Sequence, residues 1–172
     1  MVTMIDDLSY STVSSCLDSW EQLRCKPNYA EELGKILFIK FFVLEPEAKK
    51  IFGFDTKTMK SDDDFFNSPR FLAHGKHFVL ILDRAVDLIG PNLDMLTEIL
   101  LELGETHKTK YGVKTEWFPI MGVALLECMA DMLGPKIFNA ETKSCWLELY
   151  KALTDVMIAG YSTKRKVKQI IS

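Results

Sequence analysis

The sequence predicts an all-α fold of seven or eight helices with no sheet. Three observations carry this expectation. Apolar residues recur at spacings of three and four along nearly all of the 172 residues. No stretch of strict alternation rich in β-branched residues competes with them. Helix punctuation then divides the chain, with Ser or Asn before the apolar runs and Gly or Gly-Pro after them.

Taken in order, SYSTVSSCLDSWEQL forms the first helix. Asn28 caps YAEELGKILFIKFFVL, and Pro46 starts a short helix, PEAKKIF, where a first-turn proline loses no hydrogen bond. GFDTKTMK is a loop. Ser61 precedes DDDFF, whose aspartates suit the positive end of a short helix. Ser68-Pro69 opens RFLAHGKHFVLILDRAVDLI, which Gly90-Pro91 ends. Asn92 caps LDMLTEILLELGETHKTK, with Gly112 at its exit. Thr115 begins EWFPIMGVALLECMADML, whose Pro119 falls near the first turn, where proline is tolerated. Gly134-Pro135 ends that helix and Asn139 leads into AETKSCWLELYKALTDVMIAGY. The tail STKRKVKQIIS, with Lys164, Arg165, Lys166 and Lys168, reads as a solvated extension of the last helix; a linker or a weak membrane-surface segment are the alternatives.

The composition bounds the function classes. At 48% hydrophobic, 11% aromatic and 26% charged, the chain can bury a sizeable core as a single domain over residues 1–172. A net charge of -3 gives no footprint for nucleic acid or an anionic membrane. No apolar run approaches the roughly 20 residues of a membrane span. MVTMIDDLSY has acids where a secretion signal needs bases, so a cytoplasmic home is expected. Cys16, Cys25, Cys128 and Cys145 show no C-x-x-C pairing and are expected as buried thiols rather than a disulfide framework. No P-loop, nucleophile elbow or Cys/His nucleophile constellation occurs.

The three histidines are the informative residues. On a helix, Phe71, His74, Phe78, Ile81, Ala85 and Leu88 share one face, so His74 is the single polar group in an apolar stripe. His77 stands beside that stripe next to Lys76, within reach of water. Taken alone, His74 is either a core histidine with a hydrogen-bond partner or a ligand. His74 and His77 do not make a zinc site, because no motif of zinc spacing supplies the remaining ligands. His107 repeats the pattern of His74: Leu96, Leu100, Leu103 and His107 form another apolar row with one imidazole. Two helices that each offer one imidazole from an apolar face are what haem iron requires, nitrogen donors on its axis and a dry cavity around it.

At these residues the sequence resembles the globin family, on the neuroglobin and cytoglobin branch. LFIKFFVLEPEAKKIFGF resembles the end of the second helix, the short third helix and the following corner, with Phe52 in the place of the corner phenylalanine that stacks on haem. SPRFLAHGKHF resembles the start of the distal helix, with His74 as distal histidine. LELGETHKTKYGV resembles the proximal helix and its exit, with His107 as proximal histidine. LGPKIFNAETKSCWLELYKAL resembles the last corner and last helix, and Trp20 matches a first-helix tryptophan. The likeness covers about residues 10–160 and leaves 161–172 as a basic extension. Gly34 and Gly75 are mid-helix glycines, each costing about 1 kcal/mol against alanine; in the family they let the second and distal helices cross closely. One departure is Phe78, where a valine or leucine is common, beside Phe38 on the second helix.

The resemblance implies haem b with His107 as proximal ligand, its second ring nitrogen donating to the Leu103 carbonyl. It implies that His74 binds the sixth position or hydrogen-bonds a bound gas, and that Phe38 and Phe78 limit the distal volume. Phe52 would pack on the porphyrin, Val113 would touch its edge, and His77 would meet a propionate or act as the alternative sixth ligand. Three functional classes stay open: binding of O2, CO or NO by a monomer or weak homodimer, redox chemistry such as NO dioxygenation or nitrite reduction with an external reductase, and a haem-free helical interaction module.

Overall fold

The computed structural model describes residues 5–52 and 61–162. Among the described residues there are seven α-helices, two 3-10 segments and no strand. A 3-10 segment, Ile5–Asp7, leads into α1 (Tyr10–Arg24) and α2 (Tyr29–Leu44). The second 3-10 segment, Pro46–Phe52, and α3 (Asp62–Phe66) precede the long α4 (Pro69–Leu88). Then come α5 (Leu93–Thr109), α6 (Trp117–Leu133) and α7 (Ala140–Gly160). The loop expected at 53–60 and the basic tail from residue 163 lie outside the described residues.

Helix starts follow side-chain chemistry at five places. The side-chain oxygens of Ser9, Ser61, Ser68, Asn92 and Asn139 each accept from the backbone N–H three residues on, at 3.0–3.3 Å. Two starts differ from expectation. Asn28 holds the cap position of α2 without a side-chain bond, at φ 52° and ψ 32°. The chain reverses there between α1 and α2, and asparagine tolerates the left-handed backbone that this turn requires. Helix α6 begins at Trp117 rather than at Thr115, because the Trp117 and Phe118 N–H groups already donate to the Lys114 and Thr115 carbonyls at 3.1 and 3.3 Å. Pro119 then sits in the first turn, where its missing N–H costs nothing.

Helix α2 packs on α4 and α6, while α7 receives both α1 and α5. At the α2–α4 crossing a Cβ on Gly34 would lie 2.3 Å from the Gly75 carbonyl carbon, so backbone touches backbone. That contact rotates α4. Its buried residues are Phe71, Gly75, Val79, Leu82, Ala85, Val86 and Leu88, while His74, Phe78 and Ile81 look into a cavity. Trp20 and Trp146, both wholly buried with ring centroids 5.5 Å apart, fix α1 on α7. The Trp146 indole donates to Ser19 Oγ at 2.9 Å. Cys16 and Cys128 are buried as expected, but Cys145 is half-buried and Cys25 is exposed, since Cys25 is where the chain leaves α1. All four thiols are free. Burial, with Cys145 and Glu148 nearby, pushes the Cys16 thiol up to about 12, which keeps it inert. No helix among the described residues is long and apolar enough to cross a membrane.

Asp83 joins three helices. One carboxylate oxygen accepts from the Trp20 indole at 2.7 Å, from Arg24 Nε at 2.7 Å and from the Tyr29 hydroxyl at 3.0 Å. Arg24 also reaches Asp87 at 2.6 Å. Partial burial alone would raise the Asp83 pKa, but the hydrogen bonds from Arg24, Trp20 and Tyr29 outweigh it and hold the carboxyl below its ordinary value. A lowered folded pKa contributes stability that is present at neutral pH and lost as pH falls through the carboxylate range. Asp83→Ala is expected to cost about 2 kcal/mol in urea unfolding at pH 7, because three donors lose their acceptor. Asp83→Asn is expected to flatten the loss of stability below about pH 4; an unchanged acid limb would show that Asp83 does not govern it.

Candidate functional site

Two helices supply the imidazoles. On α4, His74 immediately precedes Gly75, the residue in backbone contact with α2. Its ring meets the edges of Phe52 and Phe38, with centroids at 4.7 and 5.1 Å. Neither ring nitrogen of His74 has a hydrogen-bond partner among the described residues. On α5, His107 lies in the last turn, half-buried, and its Nδ1 is 2.8 Å from the Leu103 carbonyl. A carbonyl oxygen only accepts, so Nδ1 carries the proton and Nε2 keeps its lone pair in the neutral ring. The ring of Phe118 approaches His107 at 6.1 Å from α6.

Both histidines line one cleft between α2, α4, α5, α6 and α7 that encloses about 1010 Å³ of space, its open mouth included. All eight residues singled out from the sequence, His74, His77, His107, Phe38, Phe52, Phe78, Leu103 and Val113, stand on its walls. Phe38 anchors the distal wall. It is 2% exposed and packs in edge geometry against Phe52, Phe71, Phe78 and His74 at 5.1–6.3 Å. Val113 is fixed by the Tyr161 hydroxyl, which donates to its carbonyl at 2.9 Å, and by its own N–H on the His107 carbonyl at 2.9 Å. His77 is exposed at the edge of the cleft.

The walls tune both imidazoles alike. Apolar surroundings lower the His74 pKa to about 4, with smaller contributions from His77, His107 and Arg70. The His74 side chain is accessible, but it is accessible to a phenylalanine-walled cleft rather than to bulk water, so the apolar environment decides its basicity. Burial also lowers the His107 pKa, opposed in part by the Leu103 hydrogen bond. Both rings are neutral at pH 7 and able to donate a lone pair.

Sequence reasoning missed the floor of the cleft. Trp117, Met121, Tyr150, Thr154 and Met157 line it from α6 and α7. Tyr150 is buried and donates to the Phe118 carbonyl at 2.9 Å, and Thr154 donates to the Tyr150 carbonyl at 2.9 Å. Helix α6 is apolar nearly all round, so its periodicity does not say which side faces a cavity.

The donor set restricts what this cleft can hold. No group of three or more His, Cys, Asp or Glu side chains able to hold a metal ion occurs among the described residues. Two imidazoles are too few for a bare ion, but they suffice for a metal whose other positions are filled by a macrocycle of its own. An apolar helical cleft with two such imidazoles fits a haem pocket of globin type. The globin family model matches residues 35–157, and the chain belongs to the globin family. It is 31% identical to neuroglobin of Danio rerio over 145 residues, covering 84% of this chain and 87% of that protein. Neuroglobin of Tetraodon nigroviridis is 33% identical over 129 residues, covering 75% of this chain and 79% of that protein. A crystal structure of a hexacoordinated heme protein from an anhydrobiotic tardigrade shares the fold with a TM-score of 0.79. It has 22% identity and covers 91% of this chain and 97% of its own.

The tautomer is directly measurable. In nitrogen NMR of histidine-labelled protein without cofactor at pH 8, His107 is expected to carry its proton on Nδ1, with that proton protected from exchange. A His107 protonated on Nε2 would contradict the Leu103 contact.

Proposed function

We propose that this protein reversibly binds O2, CO or NO through haem b, which His107 and His74 would hold in the ligand-free state. The observation that carries this reading is the pairing of two neutral imidazoles, one from α4 and one from α5, in one apolar cleft. Haem supplies the iron at which a diatomic gas binds. His107 presents Nε2 because its other nitrogen is committed to Leu103. His74 would hold the iron or turn a hydrogen-bond donor toward the gas, and such a donor counts for more among phenylalanines than in water. Phe38 and Phe78 restrict the space beside His74, and Phe52 closes the same wall. His77, at the rim, is placed to meet an anionic edge of the cofactor. Membership of the globin family supports the haem reading. One domain over residues 1–172 and a cytoplasmic setting complete the proposal; four free thiols suit a reducing compartment.

Absorption spectra of the purified protein, reduced with and without CO, test this reading. A six-coordinate low-spin reduced spectrum that CO converts is expected, and a five-coordinate high-spin one would sink the two-histidine claim. His74→Leu is expected to give the five-coordinate form and His77→Leu to leave the spectrum unchanged; the reverse pattern would make His77 the distal donor. Phe78→Val is expected to speed CO binding severalfold in flash photolysis, with no change in the spectrum.

A further inference from the structure

We propose that Gly104 and Gly160 form a backbone seat that sets the position of His107, which makes Gly104 a positioning residue for the proximal donor. The proposal rests on the reading of His107 as a haem ligand. Helices α5 and α7 meet at two reciprocal points. A Cβ on Gly104 would lie 1.8 Å from the Met157 carbonyl oxygen and 2.7 Å from its carbon. A Cβ on Gly160 would lie 2.3 Å from the Leu101 carbonyl oxygen. Each glycine therefore aims a Cα–H at a carbonyl of the other helix, a weak but directional contact.

The pairing runs antiparallel, Leu101 with Gly160 and Gly104 with Met157, so it fixes both the height and the register of α5 on α7. The nearest atoms these added methyl groups would meet are all backbone, and backbone cannot swing aside. Gly122 on α6 is different: its Cβ would meet the side-chain ring of Tyr150 at 2.6 Å. Gly104 is a mid-helix glycine, costing up to about 1 kcal/mol in helix propensity, and it has a reason in this close approach; Gly160 is the last residue of α7.

The seat reaches His107 through one residue. Leu103, whose carbonyl orients the imidazole at 2.8 Å, directly precedes Gly104. One turn beyond the seat, His107 stands over a floor that α7 builds from Leu153, Thr154 and Met157. An alanine at 104 must withdraw its Cβ from 1.8 Å to beyond 3.0 Å, a movement of more than an ångström. Displacements of that size degrade a preorganised site.

The test uses the full-length haem protein carrying His74→Leu, so that the proximal bond is read alone. Adding Gly104→Ala is expected to shift the iron–histidine stretching band in the Raman spectrum of the reduced protein. Haem loss is expected to be about 10- to 100-fold faster, the range for a lost outer-shell support. Asp83→Ala in the same background is the control: it is expected to lower stability but leave the band in place. An unmoved band and unchanged haem loss in Gly104→Ala, with stability lowered as in the control, would overturn the seat. If Gly104→Ala does not fold, Gly160→Ala takes its place with a smaller shift expected, and an unmoved band there overturns the proposal equally. A His107→Leu protein that keeps both haem and band would overturn the ligand reading itself and the seat with it.

Discussion

An apolar cleft inside a small protein closes unless something outside the cleft holds its walls apart, and here the supports are contacts between helix backbones. Gly34 against Gly75 brings α2 and α4 together on one side, and Gly104 and Gly160 bring α5 and α7 together on the other. Side chains repack around a gap, whereas two backbones already in contact approach no further. The cleft is the space that remains when the helices are seated at these points. Both histidines lie within three residues of such a contact.

The energetics of the cleft follow from that separation of roles. Packing is provided elsewhere, by Trp20 on Trp146, by the buried leucines of α2 and by the apolar body of α6. The cleft walls are then free to do chemistry. They keep two imidazoles neutral, fix one by a carbonyl and surround the other with phenylalanine edges. A neutral imidazole without a hydrogen-bond partner is a poor core residue and a good donor, so the arrangement has a function rather than a packing reason.

Much of this was legible in the sequence because it is written in local signals. Ser9, Ser61, Ser68, Asn92 and Asn139 announce helix starts through their own side chains. Gly34 and Gly75 are costly at mid-helix, and the resemblance gave the close crossing as their reason. The His107–Leu103 bond, which the resemblance implied, spans a single helical turn. What could not be read depends on tertiary placement. Asn28 supplies its backbone and not its side chain, since the turn geometry is set by two helices at once. The face of α4 read from the sequence divides in the structure: Phe71, Ala85 and Leu88 are buried, whereas His74, Phe78 and Ile81 look into the cleft. The floor residues Tyr150 and Thr154 look like ordinary core positions in a helical pattern, and the cavity above them has no sequence signature.

Helix α4 is held at two places, at Gly75 by the backbone of α2 and at Asp83 by Trp20, Arg24 and Tyr29. Eight residues separate them, about 12 Å along the helix axis. A rod gripped at two points neither pivots about either one nor slides along its own length. His74 sits one residue from the first grip, on almost no lever arm. The motion that would bring its imidazole toward the middle of the cleft or withdraw it is therefore left to the two torsions of its own side chain, and the helix that carries it stays still.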